Sequence, residues 1–190
     1  MPEGESSYFV NAADRKQDRF EDYLVKDSVA DVEVKLAITP GRSHRAIAGV
    51  SMGGFGAVNL ALRHPDLFVF AGGLSAALDV PSRPFSIKRI EQGQGHRAIF
   101  GSWDGQMQHD NDPFVLARSA DPGKTRYLYL TSGQQEGLLP RGQSVCFPAA
   151  AAAYFVRVPH GPRWARLEPM ECTTSSPVRK PAATPSGGQS

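Results

Sequence analysis

The pentapeptide Gly49-Val50-Ser51-Met52-Gly53 constrains this chain more than any other feature. It follows Arg45-Ala46-Ile47-Ala48-Gly49, a run short and apolar enough for a buried parallel strand. It opens Gly53 to His64, where Val58 and Leu62 share one helical face and His64-Pro65 closes the helix. A chain that passes from strand to helix within these residues must turn sharply, with the serine in a strained backbone conformation. Small residues two before and two after it keep side chains out of the turn. The hydroxyl then stands at a helix N-terminus beside the Met52 N–H, where an oxyanion can be stabilised. A G-x-S-x-G arises by chance in a chain with 19 glycines. Its place between strand and helix, and its continuation as Gly53-Gly54-Phe55-Gly56, set it apart from a Gly-rich turn that holds a phosphate or nothing.

The remaining elements follow local signals. Asp18, with Glu21 three residues on, reads as a capping box before an amphipathic helix through Phe20, Tyr23, Leu24 and Val25 to about Val34. Pro40-Gly41-Arg42-Ser43 reads as a turn, and Leu67 to Leu74 as a second apolar run. Pro81 to Asp112 is polar and Gly-rich, Asp112-Pro113 begins a helix, and Tyr127 to Thr131 is a third strand. Strand–helix alternation predicts an α/β fold, three-layered around a mostly parallel sheet.

A nucleophilic serine needs a base, and the base needs an orienting acid. The loop after the third predicted strand, Ser132-Gly133-Gln134-Gln135-Glu136-Gly137, contains one carboxylate, Glu136. Asp121, just before that strand, is the second choice and reads as a turn residue. His44 and His64 belong to a turn and a helix end, and His96 and His109 lie in the polar stretch. Trp103, Phe100 and Met107, from the same stretch, are candidates either to line the site or to pack in the core.

Other classes of function find little support. The chain of 190 residues has a net charge of +2, no strong case for nucleic acid. No window approaches the ~18 apolar residues that span a bilayer. Met1-Pro2-Glu3-Gly4-Glu5-Ser6 has no basic or apolar region of a signal peptide. Cys146 and Cys172 fit no disulfide framework, and no histidine pair has metal-ligand spacing.

Residues 45–57, Arg45-Ala46-Ile47-Ala48-Gly49-Val50-Ser51-Met52-Gly53-Gly54-Phe55-Gly56-Ala57, strongly resemble a family of esterases. That family includes the esterase D/S-formylglutathione hydrolases, the feruloyl and acetylxylan esterases and the antigen 85 mycolyltransferases. Leu62-Arg63-His64-Pro65-Asp66-Leu67-Phe68, Ser75-Ala76-Ala77-Leu78-Asp79, Asn111-Asp112-Pro113-Phe114 and the run from Leu128 to Pro140 extend the resemblance across residues 2–140. It implies an α/β-hydrolase fold and a Ser–acid–His triad acting without cofactor or metal on a small-molecule or glycan-linked ester. Ser51 matches the nucleophile, Glu136 the acid, Met52 one oxyanion N–H, and Gly49 and Gly53 the elbow. The alternative is a catalytically dead fragment, or a carbohydrate- or peptide-binding protein on the same fold.

Two departures from the family pattern accompany the match. The first is at the N-terminus. Met1-Pro2-Glu3-Gly4 resembles the middle of the family's segment at the end of its fourth strand. The chain is therefore expected to lack the opening strands, with the loop that gives the second oxyanion donor, and to leave residues 45–49 as an exposed edge.

The second concerns residues 141–190. Residues 1–140 carry 15 basic and 17 acidic residues, and 141–190 carry six and two, with seven of the 15 prolines. This end reads as an unstructured tail, and 1–140 as the partial domain. Read one base forward, codons for Gly142 to Cys146 can spell Ala-Asn-Arg-Phe. Those for His160 to Trp164 can spell Thr-Gly-His-Asp, and those for Glu168 to Ser175 Asn-Gln-Trp-Asn-Ala-Arg-Leu-Pro. Three family blocks in one frame predict a single-nucleotide insertion near codon 142, which the nucleotide sequence of the locus tests. On that reading His160 stands near the place of the catalytic base by coincidence, and this chain itself is expected to be an impaired esterase.

Overall fold

The structure is a computed structural model that describes residues 2–82, 90–103, 105–121, 124, 127–133 and 152–158. Its frame is a sheet of four parallel strands in the order β1 (Ala46–Val50), β2 (Phe70–Leu74), β3 (Tyr127–Gly133) and β4 (Ala152–Val158). Between β1 and β2 runs α3 (Met52–Arg63), the connection that parallel neighbours require. Earlier come α1 (Phe20–Asp22) and α2 (Val29–Lys35), joined by a π-helical segment over Tyr23–Ser28. Later come α4 (Ile90–Phe100), α5 (Gln106–Asp110) and α6 (Pro113–Ser119).

Side-chain alternation along the strands separates the two faces of the sheet. Ala71, Leu128 and Leu130 are buried on one face, in a core with Val58, Ala61 and Leu62 of α3, Ala117 of α6, Leu24 and Phe9. On the other face Ala46, Ala48, Val50, Leu74 and Tyr127 are exposed. Among the described residues the helices pack on the first face, so the outer layer expected over the second is not among them. Among the described residues β1 lies at one end of the sheet.

Several sequence expectations need correction. Asp18 does not cap the first helix: Arg19 occupies that position, with no side-chain cap. The Asp18 carboxylate pairs with Arg15 at 3.0 Å, and its carbonyl accepts from the Ala12 N–H. The Pro81–Asp112 stretch, read without elements, contains α4 and α5. Residues 141–190, read as a tail, contain β4, which pairs in register with β3 from Tyr127↔Ala152 to Gly133↔Val158. Asp112 does cap α6, its carboxylate accepting from the Phe114 N–H at 2.8 Å, with Pro113 at the first helical position.

One arginine ties the N-terminal ends of the strands together, and a second ties β1 to a helix. Arg42 Nε donates to the carbonyls of Pro65 (2.8 Å) and Phe68 (3.2 Å), and its guanidinium reaches the Lys124 carbonyl. Arg45, entering β1, pairs in a fork with Glu33 of α2 at 2.6 and 3.0 Å. The Arg45 guanidinium beside it holds the Glu33 carboxyl below its usual range.

Candidate active site

Ser51 stands between β1 and α3 with φ 53° and ψ −112°, a left-handed conformation that a residue with a Cβ rarely adopts. The neighbours hold it there. Its N–H donates to the Leu74 carbonyl at 2.9 Å, and its carbonyl accepts from Phe55 N–H (3.0 Å) and Ala77 N–H (3.3 Å). The next strand end repeats the pattern. Ser75, at φ 45°, donates its N–H to the Thr131 carbonyl at 2.6 Å. The C-terminal ends of β1, β2 and β3 are thus stitched sideways around Ser51.

Glycine makes the turn possible, and the two elbow glycines differ. A Cβ on Gly49 would overlap the Gly53 carbonyl and lie 2.9 Å from the Gly53 Cα. A Cβ on Gly54 would lie 2.9 Å from both the Ala76 Cβ and the Gly49 carbonyl oxygen. A Cβ on Gly53 itself would meet nothing within 4 Å. Close approach of strand and helix therefore needs Gly49 and Gly54. Gly53, which the sequence pairs with Gly49, contributes its backbone rather than its missing side chain.

A serine at the N-terminus of a helix ordinarily caps it, its oxygen accepting from an N–H two or three residues on. Ser51 makes no such bond, although it occupies the cap position of α3, and it is exposed. Met52 opens the helix, so its N–H has no intrahelical acceptor. An unused hydroxyl, an N–H and the positive end of a 12-residue helix meet at one point of the surface.

The other candidates separate by topology. Asp121 precedes the N-terminal end of β3, and its carbonyl accepts from Lys124 N–H in a turn. The strands are parallel, so it lies about a strand's length, roughly 16 Å, from the Ser51 end. Glu136 follows the C-terminal end of β3 by three residues and lies outside the described residues. His160, two residues beyond β4, also lies outside them.

None of the described histidines bonds the Ser51 hydroxyl. His44 Nδ1 lies 3.1 Å from the Thr39 carbonyl, and His64 Nε2 lies 2.7 Å from Glu21. His96 is half-buried on Phe100, ring centroids 4.8 Å apart, with Nε2 2.9 Å from the Val80 carbonyl. Burial pushes its imidazole below the ordinary value, and the backbone bonds to Val80 and Pro81 oppose this. Phe100 is wholly buried and belongs to the core, whereas Trp103 is exposed and Met107 half-buried. Among the described residues no His, Cys, Asp or Glu cluster could hold a metal, and no helix is long and apolar enough to cross a membrane.

The family model described as "Putative esterase" matches residues 1–156. The chain belongs to that esterase family. Its curated relatives include the diacylglycerol acyltransferase/mycolyltransferase Ag85B of Mycobacterium avium, 53% identical over 99 residues, 48% of this chain and 30% of the relative. An acetyl esterase of Caldicellulosiruptor saccharolyticus is 22% identical over 151 residues, 76% of this chain and 56% of the relative. Among solved structures, Mycobacterium tuberculosis MPT51 superposes with a TM-score of 0.58 at 26% identity, over 70% of this chain and 50% of that one. FphF, a fluorophosphonate-binding serine hydrolase of Staphylococcus aureus, superposes with a TM-score of 0.53 at 25% identity, over 71% and 51%. The fold of this esterase chain is the α/β-hydrolase fold, of which it spans about half the length of the solved relatives or of the acetyl esterase, and less of Ag85B.

Proposed function

We propose that the protein is a serine carboxylesterase in which Ser51 is the nucleophile. One observation carries the reading: Ser51, an exposed residue, is held in a left-handed conformation at a helix N-terminus, where its hydroxyl does not cap the helix. Backbone strain kept in place by several hydrogen bonds is characteristic of functional sites. Kinship with an acetyl esterase and with a fluorophosphonate-binding serine hydrolase supports it.

In the reaction proposed for the complete enzyme, Ser51 Oγ attacks the ester carbonyl carbon and passes its proton to a histidine, oriented by Glu136, that the described residues do not supply. The carbonyl oxygen takes up negative charge opposite the Met52 N–H and the positive end of α3, which lowers the barrier where charge develops. The carbon–oxygen bond to the alcohol breaks, and the alcohol leaves with the proton. Water then repeats the attack on the acyl-enzyme and releases the acid. No step calls for a cofactor or a metal. The ester is a small-molecule or glycan-linked one.

Hydrolysis of p-nitrophenyl acetate by the purified chain, beside Ser51→Ala, tests the proposal. The expected result is slow hydrolysis, the chain being impaired in its base, that falls about tenfold or more on substitution. Hydrolysis that survives Ser51→Ala, or a folded parent chain that hydrolyses no ester, overturns it.

A further inference from the structure

The peptide unit between Ser51 and Met52 joins two roles. Its carbonyl belongs to Ser51, and its N–H, on Met52, faces the developing oxyanion in the proposed reaction. Peptide units are planar, so whatever fixes the carbonyl also fixes the direction of the N–H. Two donors hold that carbonyl. One is the Phe55 N–H at 3.0 Å, the ordinary bond of a first helical turn. The other is the Ala77 N–H at 3.3 Å, which comes from the loop after β2. That second bond depends on where the loop lies.

His96 of α4 stands behind both donors. Its Nε2 lies 2.9 Å from the Val80 carbonyl. A carbonyl oxygen only accepts, so Nε2 carries a proton and donates it. Val80 in turn donates its N–H to the Ala77 carbonyl at 3.3 Å, which closes the turn from Ala77 to Val80. Buried Gln108 of α5 supports the same loop, donating from Nε2 to the next carbonyl, that of Pro81. The His96 ring also rests on Phe100, centroids 4.8 Å apart, and Phe100 meets Phe55 edge-to-face at 6.0 Å. Phe55 and Phe100 are wholly buried. One histidine therefore reaches the Ser51 carbonyl by two routes, through the backbone of the loop and through packed rings.

We propose that His96 is a positioning residue. By donating to the Val80 carbonyl it holds the Ala77 turn against the Ser51 carbonyl, and so aims the Met52 N–H at the oxygen that becomes charged. An oxyanion donor acts only when it points to where that oxygen will be. In this role His96 is not the base, and it works through the backbone. The inference rests on Ser51 being the nucleophile and the Met52 N–H its oxyanion donor.

Phosphonylation of Ser51 by an alkyl fluorophosphonate tests the proposal. Oγ attacks phosphorus, fluoride leaves, and charge builds on the phosphoryl oxygen on the way. With the full chain in excess reagent, intact mass reads two quantities. The second-order rate constant follows the aim of the donor, and the final extent of labelling follows the fraction folded. His96→Phe keeps a ring against Phe100 but has no N–H to give. His96→Gln offers an amide N–H near the place of Nε2 but has no ring. The expected result is a rate constant about tenfold lower in His96→Phe at undiminished extent, and one within threefold of the parent in His96→Gln. A His96→Phe rate constant within threefold of the parent overturns the inference alone. So does a His96→Gln rate constant as low as that of His96→Phe. Loss of fold in both variants, read by circular dichroism, also overturns it, because His96 would then serve the fold and not the donor. A folded parent chain that is not labelled, or labelling that survives Ser51→Ala, overturns the reading of Ser51 and the inference with it.

Discussion

Gly49 and Gly53 meet backbone to backbone across the turn that carries Ser51, so closely that a methyl group on Gly49 would overlap the Gly53 carbonyl. The reverse does not hold, since a methyl on Gly53 points into open space. Gly49→Ala is therefore expected to force β1 and α3 apart and to lower stability by about 2–4 kcal/mol. Gly53→Ala, within α3, is expected to raise it by about 0.5–1 kcal/mol through helix propensity. Urea denaturation of the two variants checks the asymmetry. Equal effects of the same sign would mean that the turn is not packed this way.

Ser51 itself holds strain that a glycine would not. At φ 53° and ψ −112° its Cβ is a liability that its neighbours' hydrogen bonds outweigh. Ser51→Gly is expected to stabilise the fold by about 1 kcal/mol and to abolish ester hydrolysis. Thermal unfolding and a p-nitrophenyl acetate assay on the same preparation read both. A variant less stable than the parent would show that the conformation is not strained.

What was legible in the sequence is what local chemistry decides. Asp112-Pro113 announces a helix because an acceptor and a missing N–H suffice to start one. The elbow is readable because a sharp strand-to-helix turn admits few residues. What was hidden depends on distant partners. Asp18 resembles a cap, yet Arg15 takes its carboxylate and Ala12 its carbonyl. Glu21, read as part of that cap, instead meets His64, 43 residues away. β4 was obscured by the basic, proline-rich composition around it, although Tyr154-Phe155-Val156 is itself a strand-like run. In the elbow, the sequence pattern shows two equivalent glycines, and only the approach of α3 to β1 tells them apart.

β1 ends in Val50, whose side chain is 64% exposed on the uncovered face of the sheet. Among the described residues the strand is an edge, and its outward residues Ala46, Ala48 and Val50 are all apolar. Edges of this kind pair with other chains, and a charge on them opposes it. Val50→Lys is expected to reduce self-association of the chain with little effect on unfolding, because the side chain gives up little burial. Light scattering during a concentration series measures this. Association that persists unchanged would place the contact elsewhere.

Glu21 is buried where the end of α3 meets α1, its carboxylate 3.0 Å from Arg63 Nε and 2.7 Å from His64 Nε2. Burial alone would raise its pKa. The hydrogen bonds and charges of His64 and Arg63 outweigh that and hold it below the ordinary carboxylate value. Because the folded value lies below the unfolded one, the pair stabilises the fold fully above the unfolded value. The contribution fades as pH falls through the lowered folded value. Glu21→Gln is accordingly expected to cost about 2 kcal/mol near neutrality and to flatten the loss of stability below about pH 4.5. Midpoints of urea denaturation between pH 7 and pH 3 measure the difference between parent and variant. A difference that stays constant across that range would mean that Glu21 contributes by packing and not by charge, and that Arg63 and His64 are indifferent to its ionisation.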